Sequence, residues 1–105
     1  MSNSATAAAR VQLLDNELRV SGQVDADSVL ALRAQGEALI RQHGGDLIVD
    51  LSALETAHSV VLSMLLCWQR LAEKQGGSLR FRGISERLES LAALSNLRGQ
   101  LTRAD

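Results

Sequence analysis

The sequence predicts a two-layer α/β domain: a mixed four-stranded sheet, with elements in the order β β α β α β α, that carries its helices on one face. Three observations lead there. Two short runs with apolar residues at every second position flank Asp15-Asn16, the pattern of a hairpin. Two longer runs at helical spacing end in Gly44-Gly45 and Gly76-Gly77, and a strand-like run follows each glycine pair at once. In the outer strands, apolar residues alternate with charged or polar ones, so only one sheet face is strongly apolar.

The elements follow in order. Residues 1–10 are rich in Ser, Ala, Asn and Thr without periodicity, and a disordered tail is expected there. Val11, Leu13, Leu18 and Val20 supply the apolar positions of the hairpin. Asp25 or Asp27 can cap a first helix in which Val29, Leu32, Gly36, Leu39 and Ile40 share a face. Asp46 to Leu51 reads as a central strand rich in branched residues. Ser59 to Gln75 is the second helix, Ser78 to Arg82 the last strand, and Ser85 the cap of a third helix that Asn96-Leu97 should stop. The domain is thus expected over 11–97, with a C-terminal tail over 98–105. Parallel crossovers are right-handed in nearly all cases, so a strand order that advances steadily puts both crossover helices on one side.

The chain has 105 residues, one domain's worth, with 46% hydrophobic and 22% charged residues, which excludes intrinsic disorder. Trp68 and Phe81 are its only aromatic residues, so the core must be mostly aliphatic. A net charge of −1 with no basic tract argues against nucleic acid as a partner. One cysteine cannot form an intramolecular disulfide, and the first residues lack a signal-peptide pattern, so a cytoplasmic location is expected. The apolar stretch Val60 to Trp68 is far short of the roughly 20 residues that span a bilayer. Direct membrane insertion is not expected.

Several chemistries fail for want of residues. His43, His58 and Cys67 form no C-x-x-C or H-E-x-x-H pattern, so neither a metal nor a cofactor is expected. The glycine pairs follow helices, whereas phosphate-cradling glycines sit between a strand and a helix, and no G-x-x-x-x-G-K-[ST] loop is present. His58 and Ser59 are neighbours, but no G-x-S-x-G surrounds the serine, and adjacent residues of a helical turn point about 100° apart. Nucleophilic catalysis is not expected.

The second helix carries more information. At 100° per residue, Val61, Met64, Leu65, Trp68, Leu71 and Ala72 share one face and belong to the core. Ser59, Ser63, Arg70, Glu73 and Lys74 fall opposite, with Leu62 and Leu66 among or beside them. Exposed leucines on a polar face would suit a partner. Ser59, at the helix start, is either a plain N-cap or a place where a phosphate would meet free N–H groups and the positive end of the dipole.

The run from Leu47 to Leu66, LIVDLSALETAHSVVLSMLL, resembles the STAS family. This family includes anti-sigma factor antagonists, anion-transporter tails and the small cytoplasmic subunit of bacterial phospholipid-trafficking (Mla) ABC transporters. Asp50, Leu51 and Ser52 match its Asp-Leu-Ser at a strand end. Ser59 matches the phosphorylatable hydroxyl and Leu62 the leucine of its second element. His58 replaces the family's Asp there, and Val60-Val61 replace a small residue and Gly. The stretch from Leu65 to Arg70, with Lys74-Gln75-Gly76, looks most like the transporter-subunit branch.

The resemblance implies a STAS-like fold and a non-enzymatic module that binds and supports a cytoplasmic ABC ATPase, within a complex containing a membrane permease. It implies a cytoplasmic chain held at the inner membrane through its partners. Ser59, Leu62, Ser63, Leu66 and Arg70, with His58 in the preceding loop, are the expected partner-binding residues. Asp50 is either a supporting acid beside Ser59, as the family's matching Asp is, or a side chain on the wet sheet face. The resemblance leaves open an antagonist switched by phosphorylation of Ser59, against which the two valines argue.

Overall fold

Asp15 takes φ +57 between β1 (Arg10–Leu14) and β2 (Glu17–Gly22), a left-handed conformation that aspartate tolerates, and the strands pair antiparallel from Arg10–Ser21 to Leu14–Glu17. The computed structural model describes residues 8–55 and 59–94. Ala8 forms an isolated bridge to Gln23, so pairing begins inside the stretch expected as a tail. The C-terminal tail over 98–105 and the helix stop at Asn96-Leu97 fall outside the described residues.

The residue before α1 (Val29–His43) is Ser28, which makes no side-chain cap bond to the helix; of the two candidate aspartates, the fold uses Asp25, in the turn that leads into it. Its Oδ1 accepts from the N–H groups of Asp27 at 3.0 Å and Ser28 at 2.9 Å, and Ser28 Oγ accepts from the Asp25 N–H at 3.0 Å. This reciprocal pair satisfies the N–H groups of the turn that leads into the helix, in the manner of a capping box. The helix ends where Gly44, at φ +71, donates its N–H to the Ile40 carbonyl. After β3 (Leu47–Leu54), α2 (Ser59–Lys74) ends in the same manner, with the N–H groups of Gly76 and Gly77 donating to the carbonyls of Glu73 and Ala72. β4 (Leu79–Arg82) leads to α3 (Glu86–Leu94), whose cap is Ser85: its Oγ accepts from the Leu88 N–H at 3.1 Å.

The sheet runs β1-β2-β3-β4, with β2, β3 and β4 parallel. The expected alternation is present: Leu18, Val20, Leu79 and Phe81 are buried, while Arg19 and Arg80 are exposed. α1 packs on α2, and α3 packs on α2 as well. Trp68 and Phe81 are both 0% exposed at the centre of the aliphatic core. The indole Nε1 of Trp68 donates to the Arg33 carbonyl at 3.1 Å, so burial of the ring leaves no orphaned donor.

The ladder between β2 and β3 is irregular at one point. From Arg19–Asp50 to Ser21–Ala53 the register advances two residues on β2 but three on β3, which places a bulge at Leu51-Ser52. Leu47, Val49 and Leu51 face the core before it. After it Leu54, not Ala53, packs inward.

Candidate partner-binding site

Ser59, Ser63 and Arg70 are exposed along one side of α2, and Glu73 and Lys74 continue the polar stripe. Ser59 is the first residue of the helix, and the first turn carries no acidic side chain, so the positive end of the dipole is not offset there. His58 lies outside the described residues.

The expectation that Leu62 and Leu66 stand exposed beside this stripe is corrected: they are 2% and 8% exposed and belong to the core. The reason is the position of α2 in its layer. Val60, Met64 and Cys67 turn one flank toward Val29 and Arg33 of α1, and α3 packs on α2 as well, so the helix is covered beyond the stripe that faces the sheet. A helix with several neighbours buries a wider arc than a single apolar stripe. The exposed surface is therefore polar, and narrower than expected.

The strand phase decides between the two readings of Asp50. Side chains alternate along β3, and Val49 and Leu51 face the core, so Asp50 faces away. It lies on the open sheet face, opposite the helix layer that carries Ser59. Its Oδ2 lies 3.9 Å from Nε of Arg19 and 3.6 Å from a terminal nitrogen of Arg82. Both arginines also pair with Glu17, so two cations and two anions bridge three strands. These partners favour the sheet-face reading of Asp50 over that of a supporting acid beside Ser59.

The other oxygen of Asp50 holds the bulge. Oδ1 accepts from the Ser52 N–H at 3.0 Å and from the Ser52 hydroxyl at 2.7 Å. Burial pushes this carboxyl up, but the two Ser52 donors and Arg19 outweigh it and hold the group below the usual aspartate range. Gly83, at φ +74 just past β4, closes on the same point: a Cβ there would fall 2.8 Å from the Ser52 nitrogen. The Asp-Leu-Ser motif thus has a local physical role. It builds and satisfies a bulge at the end of the strand that leads to α2.

Sequence reasoning missed two features. The bulge is a matter of register against β2, which one strand's composition does not encode, although Asp and Ser two apart in a strand hint at side chain-to-backbone bonding. The second is a shallow apolar groove of about 180 Å³ between α1 and α2, lined by Val29, Leu30, Arg33, Val60, Ser63, Met64 and Cys67. Leu30 is 70% exposed at its rim. Among the described residues, no three His, Cys, Asp or Glu side chains come together as metal ligands, and no helix is long and apolar enough to cross a membrane.

Residues 9–103 match the family model described as MlaB, STAS domain. The intermembrane phospholipid transport system binding protein MlaB of Escherichia coli is 32% identical over 80 residues, which covers 76% of this chain and 79% of that one. The anti-sigma-B factor antagonist of Bacillus subtilis is 31% identical over 84 residues, covering 80% and 76%. Among solved structures, a chain of the Acinetobacter MlaFEDB complex in an ATP-bound conformation superposes with a TM-score of 0.78 at 29% identity, over 90% of this chain and 100% of that one. With the element order, the one-sided helix layer and the Asp-Leu-Ser bulge, these matches show that the chain belongs to the STAS-domain family, in close relation to MlaB.

Proposed function

We propose that this chain is a non-enzymatic STAS subunit that binds and supports the cytoplasmic ATPase of a phospholipid-transporting ABC complex, which also contains a membrane permease and maintains outer-membrane lipid asymmetry. The observation that carries the reading is the match to a chain of the MlaFEDB complex along that chain's whole length. The location that goes with it is the cytoplasmic side of the inner membrane, through the partners.

The partner surface is the exposed side of α2, Ser59, Ser63 and Arg70, with His58 next to Ser59 in the sequence. Such a surface suits a regulatory contact: Arg70 can pair with a partner carboxylate, and the serines can donate or accept hydrogen bonds without burying much apolar area. Leu62 and Leu66 contribute by holding the helix in place. The test is co-purification with the cognate ATPase, together with its ATP turnover. Arg70→Glu and Ser63→Arg should weaken capture and lower the stimulated turnover while leaving the melting curve near wild type. Capture unaffected by either variant would move the partner surface elsewhere.

A second reading has support in the likeness to the Bacillus subtilis antagonist and in the exposed Ser59 at a helix start. In it, phosphorylation of Ser59 switches binding to an anti-sigma factor. Incorporation of labelled phosphate by wild type but not by Ser59→Ala would favour it over the transporter reading.

A further inference from the structure

We infer that Asp50 is a positioning residue for the partner-facing end of α2, acting through the β3 bulge without itself touching the partner. The inference rests on the proposed partner surface and deepens it.

Side chains on a strand alternate with a period of two, so an extra residue reverses which of the following side chains point inward. Here the reversal turns Leu54 toward the core, and the Glu55 N–H then donates to the Gly22 carbonyl at 2.8 Å. Ser59 opens α2 only four residues later. The bulge thus sets the direction in which the chain leaves the sheet, and with it where the exposed turn carrying Ser59 and Ser63 begins.

A bulge displaces a backbone N–H from regular strand pairing, and it persists only if that group finds another acceptor. Asp50 Oδ1 is that acceptor for Ser52. Arg19 and Arg82 fix the carboxylate from the open face, and Gly83, just past β4, leaves no room for a side chain beside Ser52. Side chains from three strands therefore converge on one carboxylate. The open face, which carries none of the described helices, influences the surface on the opposite side of the sheet through this carboxylate.

The experiment uses the full chain and its cognate ABC ATPase. Binding is measured by calorimetry, and hydrogen exchange is followed in the free chain over residues 51–55 and over α1. Asp50→Ala should weaken ATPase binding about tenfold, the scale of one lost charged hydrogen bond, and speed exchange over 51–55 while α1 stays protected. Asp50→Asn keeps an acceptor oxygen for Ser52 and should restore both readouts to within about threefold of wild type. Gly83→Ala disturbs the bulge with Asp50 intact and should reproduce the Asp50→Ala pattern, which keeps the test available if Asp50→Ala folds poorly.

Three results would overturn the inference: Asp50→Ala or Gly83→Ala binding with wild-type affinity, exchange rising equally in α1 and in 51–55, or Asp50→Asn losing as much as Asp50→Ala. A wild-type chain that does not bind the ATPase overturns the proposed partner, and the inference with it. Wild-type binding that survives Asp50→Ala overturns the inference alone.

Discussion

The Trp68 ring occupies the space that a side chain at Gly36 would need: a Cβ built there would overlap the Cζ2 and Cε2 atoms of the indole. Gly36 is buried on α1, and Trp68 is 0% exposed on α2, so the absence of a side chain at Gly36 sets how closely the two helices approach. Glycine inside a helix costs about 0.5–1 kcal/mol relative to alanine. Packing the largest side chain of the core offsets that cost.

Gly36→Ala is therefore expected to destabilise the domain, despite alanine's better helix propensity, by about 1–3 kcal/mol for overpacking. On the scale of about 4–8 °C per kcal/mol for a domain near this size, the melting temperature should fall visibly. Trp68→Phe removes the overlapping ring atoms. The double variant should lose less than the sum of the two singles, and a cycle of thermal melts that shows strict additivity would refute the contact.

Leu66→Asp distinguishes core from surface on α2. With Leu66 8% exposed, the substitution buries an unpaired charge and should cost more than about 3 kcal/mol or abolish folding, as seen by circular dichroism in a urea titration. Arg70→Glu on the exposed stripe should stay within about 0.5 kcal/mol of wild type. If Leu66→Asp melts like wild type, the leucine faces solvent and does not belong to the core.

Leu62 and Leu66 also mark where a sequence stops being informative. The hairpin, the glycine-terminated helices and the Ser85 cap are legible because each depends on residues adjacent in the chain. The same holds for Trp68 and Leu65 as core, since they sit mid-stripe. Leu62 and Leu66 fall among or beside the polar residues by helical phase, and their burial depends on neighbours of α2 that are distant in the chain. Asp50 is ambiguous for the same kind of reason: its face is fixed by the strand's alternation, but its bonding depends on Arg19, Arg82 and an extra residue in the register with β2. Of the candidate surface, Ser59, Ser63 and Arg70 are readable as exposed from helical phase and polarity together, while the groove at Leu30 needs α1 and α2 side by side.

The two aspartates before α1 are expected to differ. Asp25 accepts from two backbone N–H groups and donates its own N–H to Ser28 Oγ, whereas Asp27 contributes only its N–H to that motif. Asp25→Ala should lower the urea midpoint, and Asp27→Ala should leave it nearly unchanged. Equal losses at both positions would mean that the cap geometry is not what stabilises the helix start.

Acid should loosen this fold through groups that can be named. The Ser28 N–H, above all, holds the Asp25 carboxyl below its usual range, and the Ser52 donors and Arg19 hold Asp50 low against the upward push of burial. A carboxyl whose folded pKa lies below its unfolded value of about 3.9 contributes stability that is fully present above that value. As pH falls through the lower folded value, the unfolded chain has already taken up its protons and the folded chain must follow, so the contribution is lost. The urea midpoint should thus be flat from about pH 7 to 5 with respect to these groups and fall below about pH 4. Asp50→Asn has no proton to gain at that position, so the gap between wild type and variant should be widest above about pH 5 and close as acid protonates the wild-type carboxyl. A gap that stays constant down to about pH 2.5 would show that the folded state does not favour the ionised form of Asp50.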